Sequence, residues 1–130
     1  MTVRIALALA IAPLVLAGCT QEAPADRPAV SPAAKVVGAA QACVPLMQVR
    51  ETRVRDDWTI DFIHDGKRAW RNTLPSRCSG LKLNDGFSYK TSLSELCSTD
   101  IIHVLERMGG DLRQGNACGL GQFVPVELEK

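Results

Sequence analysis

The stretch that decides the fold is WTIDFIHDGKRAWRNTL, residues 58–74. Apolar side chains recur mostly at alternate positions on both sides of a central Asp-Gly pair, and a period of two is typical of strands with one buried face. A glycine-containing turn between two such runs is the usual sequence of a β-hairpin. The residues predicted to share the buried face are Trp58, Ile60, Phe62, Trp70 and Leu74.

The length of the hairpin loop sets which side chains meet. A two-residue Asp65-Gly66 turn would place Trp70 beside Asp61 and separate the two apolar faces. A three-residue loop of residues 64–66, with Gly66 in the left-handed conformation, pairs residue 60 with 70 and residue 58 with 72. We therefore predict the three-residue loop with a glycine bulge, because this register unites the aromatic side chains.

Four more runs have the composition of strands, being rich in β-branched and aromatic residues and bounded by Gly, Asp, Asn, Ser and Pro. Six short strands in one small domain predict a mainly β fold, a small antiparallel barrel or sandwich stabilised by disulfides. The predicted strands are Val49–Arg55, Trp58–Ile63, Arg68–Leu74, Phe87–Thr91, Ile101–Arg107 and Gln122–Leu128.

Two other segments are expected to lie outside the sheets. Val36–Gln41 is apolar and alanine-rich, which favours one or two helical turns before Pro45 stops them. Gly109–Asn116 is polar and begins with two glycines. No helical pattern follows it, so we expect a turn and loop rather than a phosphate-binding loop.

The N-terminus has the pattern of a lipoprotein signal. Arg4 precedes an apolar run, and the run leads into Leu16-Ala17-Gly18-Cys19, small residues before a cysteine. The run covers residues 5–16 and contains Pro13, so it is too short for a transmembrane helix, which needs about 20 residues. We therefore predict a signal peptide at residues 1–18, cleaved before Cys19.

Lipidation of Cys19 would tether the protein to a membrane, since each buried methylene of an acyl chain adds roughly 0.8 kcal/mol. Thr20, and not an acidic residue, follows Cys19, which in a Gram-negative bacterium resembles the sorting pattern for the outer membrane. The expected location is the cell envelope, with the domain facing the periplasm. Proline-rich residues 19–35 predict a disordered linker, and residues 36–130 the folded domain.

Four cysteines remain when Cys19 is assigned to lipid. An even number in an exported chain predicts two disulfides. A zinc site is disfavoured because structural zinc sites usually contain closely spaced cysteine pairs, which this chain lacks. In a closed barrel Cys43 and Cys118 would lie side by side near the two ends of the domain, so we predict the pairs Cys43–Cys118 and Cys78–Cys97.

Charge excludes one class of function. Without Arg4 the 15 basic residues become 14, equal to the 14 acidic residues, so no nucleic-acid partner is expected. Arg53 and Arg55, with Arg50 on the same strand, could bind a carboxylate or phosphate, although acidic neighbours and a solvated edge strand are the alternative explanation. We predict a binding surface from Arg53, Arg55 and Tyr89, because Arg and Tyr often dominate interfaces.

Residues suited to catalysis are few. Asp56-Asp57 and Asp100 stand where Asp usually caps turns, and no calcium-loop spacing surrounds them. His64 and His103 fall in a hairpin loop and a strand, which favours structural or surface roles. No serine lies in a Gly-x-Ser-x-Gly or Ser-x-x-Lys pattern. We therefore predict no catalytic residue, metal site or cofactor.

Several segments together resemble a family of small bacterial lipid-anchored or secreted proteins that carry a domain of unknown function with four cysteines. The resemblance spans about residues 43–126 and implies the domain boundaries and the cysteine pattern, but no activity or ligand. The matching segments are Arg53–Ile60, Asn72–Pro75 leading to Cys78, Phe87–Tyr89, Leu96–Ile101 and Cys118–Phe123.

Two classes of function are expected from the sequence. The first is a non-catalytic envelope module that binds an envelope protein or a small ligand, or that has a structural role. The alternative is a small Asp- and His-dependent periplasmic hydrolase or metal-binding enzyme. A polar pocket that joins Asp57, Asp100 and His103 would favour the enzyme.

Overall fold

A computed structural model describes residues 27–91 and 93–130 of the protein. The predicted signal peptide at residues 1–18 and the predicted lipidation site at Cys19 lie outside the described residues. No helix within the described ranges is long and apolar enough to cross a membrane.

The described chain forms three antiparallel sheets. The largest has five strands in the order β1-β10-β5-β4-β3, the second has the order β6-β8-β9, and the third pairs β2 with β7. A 3-10 turn covers Leu46–Gln48, and a single helical turn, α1, covers Leu81–Asn84. The strands are β1 Ala34–Val36, β2 Cys43–Pro45, β3 Glu51–Asp56, β4 Thr59–Asp65, β5 Arg68–Thr73, β6 Phe87–Tyr89, β7 Glu95–Cys97, β8 Ile101–Met108, β9 Asp111–Gly119 and β10 Phe123–Leu128.

One apolar core is shared by all three sheets. Its centre is Phe62 of β4, whose ring lies 6.2 Å from that of Phe87 in β6 and 5.4 Å from that of Phe123 in β10, both in edge-on orientations. Burying side chains of this size contributes about 1.5–3 kcal/mol each. The other buried members are Val44, Val54, Ile60, Trp70, Leu74, Cys78, Leu81, Leu96, Ile102, Val104 and Leu120.

The predicted fold class is confirmed: the domain is mainly β, antiparallel and disulfide-bonded. Each of the six predicted strands corresponds to one of the observed strands β3, β4, β5, β6, β8 and β10. Within the described ranges the strands form open sheets around a common core, not a closed barrel.

The hairpin of β4 and β5 unites the aromatic side chains as predicted, but in a different register. Phe62 lies opposite Trp70 and residue 60 opposite residue 72, so the predicted pairing of 60 with 70 is wrong by two positions. The shift arises because the loop consists of residues 66–67, which places Asp65 opposite Arg68, and the bulge between Ile63 and Asp65 then moves the following pairs by one position. Gly66 has a φ of +49°, the left-handed conformation that was predicted.

The predicted loop at Gly109–Asn116 is wrong beyond its first two residues. Gly109 and Gly110, with φ of +61° and +95°, form a tight turn. The segment after them is β9, which pairs along β8. Most of β9 is exposed, so it lacks the apolar alternation by which strands are recognised in a sequence.

The predicted helical turns at Val36–Gln41 are also wrong. Val36 ends β1, which pairs with β10, and Gln41 forms a further bridge to Phe123 of β10. Alanine has the highest helix propensity, but propensity is a small energetic preference that pairing with an existing sheet overrides.

Both predicted disulfide pairings are wrong, although all four cysteines are paired. The bonds are Cys43–Cys97 and Cys78–Cys118. Because the sheets are open, closure of a barrel does not bring the ends of the domain together. Cys43 instead lies opposite Cys97 in the ladder of β2 and β7, with their Cα atoms 4.0 Å apart.

The boundary predicted between linker and domain at residue 35 falls within β1, so the folded part begins earlier. The carbonyl of Pro32 accepts a 3.0 Å hydrogen bond from Arg71, and that of Ala33 accepts one of 2.8 Å from the backbone of Glu129. The Arg27 guanidinium lies 4.7 Å from the centre of the Trp58 ring. Residues 27–35 therefore contact the domain, contrary to a disordered linker over their length.

Candidate functional site

Arg53, the first residue of the predicted binding surface, lies on the edge strand β3 and is 54% exposed. Its Nε donates a 2.7 Å hydrogen bond to Glu51, which is exposed to a similar degree. This hydrogen bond and the nearby guanidinium charges hold the pKa of the Glu51 carboxyl below its ordinary value. The same bond raises the pKa of Arg53. The Arg53 guanidinium is thus accessible to a ligand, although Glu51 competes with that ligand for it.

Arg55 is in a different situation, because it holds a buried carboxylate. Its Nε donates to Oδ2 of Asp61 over 2.7 Å, while Arg71 donates through Nε and Nη2 to both oxygens over 2.8 and 3.0 Å. The Asp61 side chain has no exposed surface, and both arginines are largely buried. We name Arg55, Asp61 and Arg71 the buried ion triad. Its hydrogen bonds make Arg55 part of the structural framework.

Tyr89 lies in β6, in a different sheet from the two arginines. It follows Phe87 on the same side of the strand, with the two rings 6.3 Å apart, and it is 37% exposed. Arg53 and Arg55 alternate with the buried Val54, which places them on the other face of β3 from the core. The structure therefore brings the two arginines together and leaves Tyr89 on another element.

The turn predicted at Asp56-Asp57 is confirmed. Oδ1 of Asp56 accepts a 2.7 Å hydrogen bond from the backbone N–H of Trp58, which is the geometry of an Asx-turn. Asp57 accepts from the backbone N–H of Lys82 over 3.0 Å and from Arg77 over 3.1 Å. Both carboxylates therefore stabilise the junction of β3, β4 and α1.

A concave region with a volume of about 770 Å³ lies around this junction. Charges of both signs line it, and Trp58 supplies its aromatic surface. Both of its carboxylates accept hydrogen bonds from the protein. The lining residues are Pro28, Asp56, Asp57, Trp58, Arg77 and Lys82.

A smaller depression of about 320 Å³ includes Asp100 and His103. Oδ2 of Asp100 accepts a 2.7 Å hydrogen bond from the backbone N–H of Cys97, so the turn-capping role predicted for Asp100 is confirmed. His103 lies in the middle of β8, between Ser88 of β6 and Ala117 of β9. Asp57 lines the larger concave region and not this one, so the structure does not join the three residues in one pocket.

His64 packs against the core hairpin. Its ring centre lies 4.3 Å from that of Trp70, with the two planes tilted by 32°. This contact assigns it a packing role at the bulge of β4, in agreement with the structural or surface role that was predicted.

Cys43, Glu95 and Cys97 form a group with the spacing of metal ligands within the described ranges. Both cysteines, however, form one disulfide. Because a metal binds the thiolate and a disulfide has none, these residues do not provide a metal site.

Asn72 is a residue whose importance sequence reasoning missed. It is completely buried, its Nδ2 donates to the carbonyl of Gly121 over 2.7 Å, and its Oδ1 accepts from the Gly121 N–H over 2.9 Å. A Cβ on Gly121 would overlap the backbone carbonyl of Thr73. The sequence signals were a polar residue on an apolar face and a glycine in a short Gly-x-Gly segment.

Comparison with protein-family models, curated proteins and solved structures finds no match for this chain.

Proposed function

We propose that the protein is a lipid-anchored, non-catalytic module of the bacterial cell envelope, tethered through Cys19 and facing the periplasm from the outer membrane. Its role is to bind an envelope protein or a small ligand, or to support envelope structure. No cofactor or nucleic acid takes part in this proposal.

The observation that carries the location is the pair of disulfides in a domain preceded by a lipobox. Structural disulfides persist in oxidising compartments such as the periplasm and are rare in the cytosol. In the chain-entropy relation the loops of 54 and 40 residues correspond to about 4 kcal/mol each. A small domain gains a large share of its stability from such bonds.

The use of the candidate catalytic groups supports a binding or structural role. Asp57 accepts a hydrogen bond from the backbone N–H of Lys82 in α1, Asp100 accepts one from that of Cys97, and the two carboxylates line separate concave regions. A general base must lie within hydrogen-bond reach of a reacting group. Carboxylates that already accept hydrogen bonds from the framework of the domain are poorly placed for that task.

The binding surface proposed from Arg53, Arg55 and Tyr89 needs a test that respects the buried ion triad. Replacing Arg55 would leave Asp61 short of a partner and disturb the fold. The useful variant is therefore the double replacement Arg53→Ala with Tyr89→Ala, because both side chains are substantially exposed. Arg113→Ala, an exposed arginine on β9, is the matched control.

The experiment is affinity capture from native envelopes with the full chain as bait. A partner held by this surface is retained by wild type and by Arg113→Ala, and is lost from the double variant while its melting temperature is nearly unchanged. Retention by the double variant rules out this surface.

The hydrolase remains the second candidate, because Asp100 and His103 line one depression. Ester and phosphoester hydrolysis by the purified full chain tests it. Turnover that disappears in His103→Ala, with an unchanged melting temperature, would replace the non-catalytic proposal.

A further inference from the structure

The buried ion triad carries one more positive charge than negative. Arg55 and Arg71 share the single carboxylate of Asp61, and among the described residues neither guanidinium forms an ion pair with another acidic side chain. The two arginine side chains are only 14% and 13% exposed. A charge withdrawn from water is costly unless an opposite charge lies close to it. The triad therefore favours a second anion beside it.

Arg55 has the free donors that such an anion would need. Its Nε donates to Asp61, but its two terminal nitrogens form no hydrogen bond with a described residue. Neither of them is completely enclosed, so their N–H groups remain within reach of a ligand. Because the bond to Asp61 fixes the guanidinium, these donors are oriented before a ligand arrives, which lowers the entropic cost of binding.

Arg55 lines a cavity of about 400 Å³, which we name the outer cavity because Arg53 and Arg55 lie on the face of β3 turned away from the shared core. This volume is within the range of small-molecule sites. Ile63 and Leu128, which belong to a separate apolar cluster on this side of the sheet, supply its apolar part.

The charges that line the outer cavity are predominantly positive. Four cations against two carboxylates leave a net charge of +2, and one of the carboxylates, that of Glu51, is already bonded to Arg53. The cations come from three separate parts of the fold: β3, the turn between β4 and β5, and the segment after β10. They are Arg53, Arg55, Lys67 and Lys130, and the carboxylates are Glu51 and Glu129.

We propose that the outer cavity binds a phosphate group, carried by a membrane lipid headgroup or by a small soluble molecule. A phosphomonoester has a charge of about −1.5 to −2 at pH 7 and three acceptor oxygens, which matches the excess charge and the several donors of the cavity. A carboxylate has one charge and two oxygens, so it would neutralise only half of that excess. Guanidinium groups also bind phosphate oxygens through paired hydrogen bonds.

This inference rests on the binding role proposed above and names the class of ligand. It keeps Arg53 and Arg55 from the proposed surface and adds Lys67 and Lys130. Tyr89 takes no part in it, because Tyr89 lies in another sheet.

Titration of the full chain with inorganic phosphate, in neutral detergent micelles at constant pH and ionic strength, tests the site by calorimetry. We expect saturable binding with a Kd below about 1 mM. The double replacement Arg53→Gln with Lys67→Gln should weaken it at least about tenfold, because two charged donors are lost. Arg55 is left in place, since its replacement would disturb the triad.

The control is the double replacement Arg113→Gln with Lys35→Gln, which removes the same total charge from exposed positions outside the cavity. It should change the Kd less than about twofold. A wild-type Kd above about 1 mM, or equal weakening by both double replacements, would overturn the proposal.

Acetate in place of phosphate tests the choice of ligand. Because it carries a single charge, it should bind about tenfold more weakly, and binding as tight as that of phosphate would also overturn the proposal.

Glycerol 3-phosphate in solution and phosphatidic acid in the micelles carry the same phosphomonoester and distinguish its source. Displacement of inorganic phosphate by either one supports the site, and the more effective of the two identifies the source as soluble or lipid. Failure of both would overturn the proposal. Capture of an envelope partner through Arg53 and Tyr89 is measured separately, so the proposed function and this inference can fail independently.

Discussion

At Asp61 a carboxylate with no exposed surface lies between two guanidinium groups and accepts three hydrogen bonds. Removing a carboxylate from such an arrangement leaves two cations close together with little water to screen them. The cost of breaking a buried ion pair is typically greater than the net stabilisation that the intact pair provides, because the remaining charges are left uncompensated. Replacing Asp61 should therefore destabilise the fold more than replacing an exposed carboxylate.

We predict that Asp61→Asn lowers the free energy of unfolding by about 3–5 kcal/mol, since it keeps the size of the side chain but removes its charge. Urea denaturation of the oxidised protein measures this difference. Glu51→Gln is the control, because it makes the same chemical change at the exposed pair with Arg53 on the neighbouring strand. Similar losses in both variants would contradict the role assigned to the triad.

The exposed pair of Glu51 and Arg53 gives a prediction about pH. The hydrogen bond from Arg53 lowers the folded-state pKa of Glu51, so the stabilisation from this pair is present above the unfolded pKa of Glu51 and is lost as pH falls through the folded value. Carboxyl carbon NMR titration should show the lowered pKa, and Arg53→Gln should bring it back towards the ordinary value. A Glu51 pKa that does not respond to Arg53→Gln would contradict the pairing.

The burial of Asp61 could not be predicted from the sequence alone. A charged residue between Ile60 and Phe62 marks Asp61 as facing away from the core. Its burial, however, depends on Arg71, which lies opposite it only in the observed register. The register predicted from the loop differed by two positions, so the triad could not be anticipated.

At the scale of elements, alternation of apolar residues was sufficient to locate strands that bury one face. β4 and β5 were recognised because Phe62 and Trp70 contribute to a core that is visible as a period of two. β9 was missed because tertiary pairing with β8, rather than burial of its own side chains, makes it a strand. Three-residue strands such as β2 and β7 are too short to show any period.

The contact between Asn72 on β5 and Gly121, which lies just before β10, can be tested by substitution. We expect Gly121→Ala to lower the free energy of unfolding by about 1–3 kcal/mol, because its Cβ would displace the Thr73 carbonyl. Gly119→Ala is the control, since its Cβ would come no closer than 3.8 Å to Pro75. Thermal unfolding measures both. Equal stability of the two variants would show that the close approach is relaxed in solution.

The disulfides connect elements that were expected to lie apart. We predict that a non-reducing peptide map contains Cys43 linked to Cys97 and Cys78 linked to Cys118. The first follows from the facing positions of β2 and β7, and the second from the contact of β9 with the loop after β5. Recovery of Cys43 linked to Cys118 would indicate a closed barrel, as the sequence alone suggested.

At the scale of the whole molecule, composition and cysteine number were enough to predict one small, disulfide-bonded β domain. The open arrangement of three sheets was not predictable, because it depends on which strand edges pair and not on which segments are strands. The same distinction applies to function. Asp57 and Asp100 were recognised as turn residues from their positions, whereas the separation of their cavities required the tertiary structure.

The proposed lipid anchor at Cys19 and the contacts of residues 27–33 with the domain would together limit how far the domain can stand from a membrane. Seven residues lie between Cys19 and Arg27, so eight steps along the chain join them, and a fully extended chain gains at most about 3.6 Å per step. A lipidated Cys19 would therefore keep Arg27 within roughly 30 Å of the bilayer. Partners of the proposed module should accordingly be membrane components or proteins that approach the membrane closely.

Anchoring through Cys19 is the prediction on which this arrangement depends. Cys19→Ala removes the only thiol in the lipobox, so the variant should accumulate as an unprocessed precursor or appear in the soluble fraction, while wild type remains with membranes. Thr20→Ala is the control, because it alters the neighbouring residue and leaves the thiol. Fractionation followed by intact-mass measurement distinguishes these forms, since lipid adds mass that a soluble chain lacks. Normal processing and equal membrane retention of Cys19→Ala would mean that the domain is held by its own contacts and not by lipid.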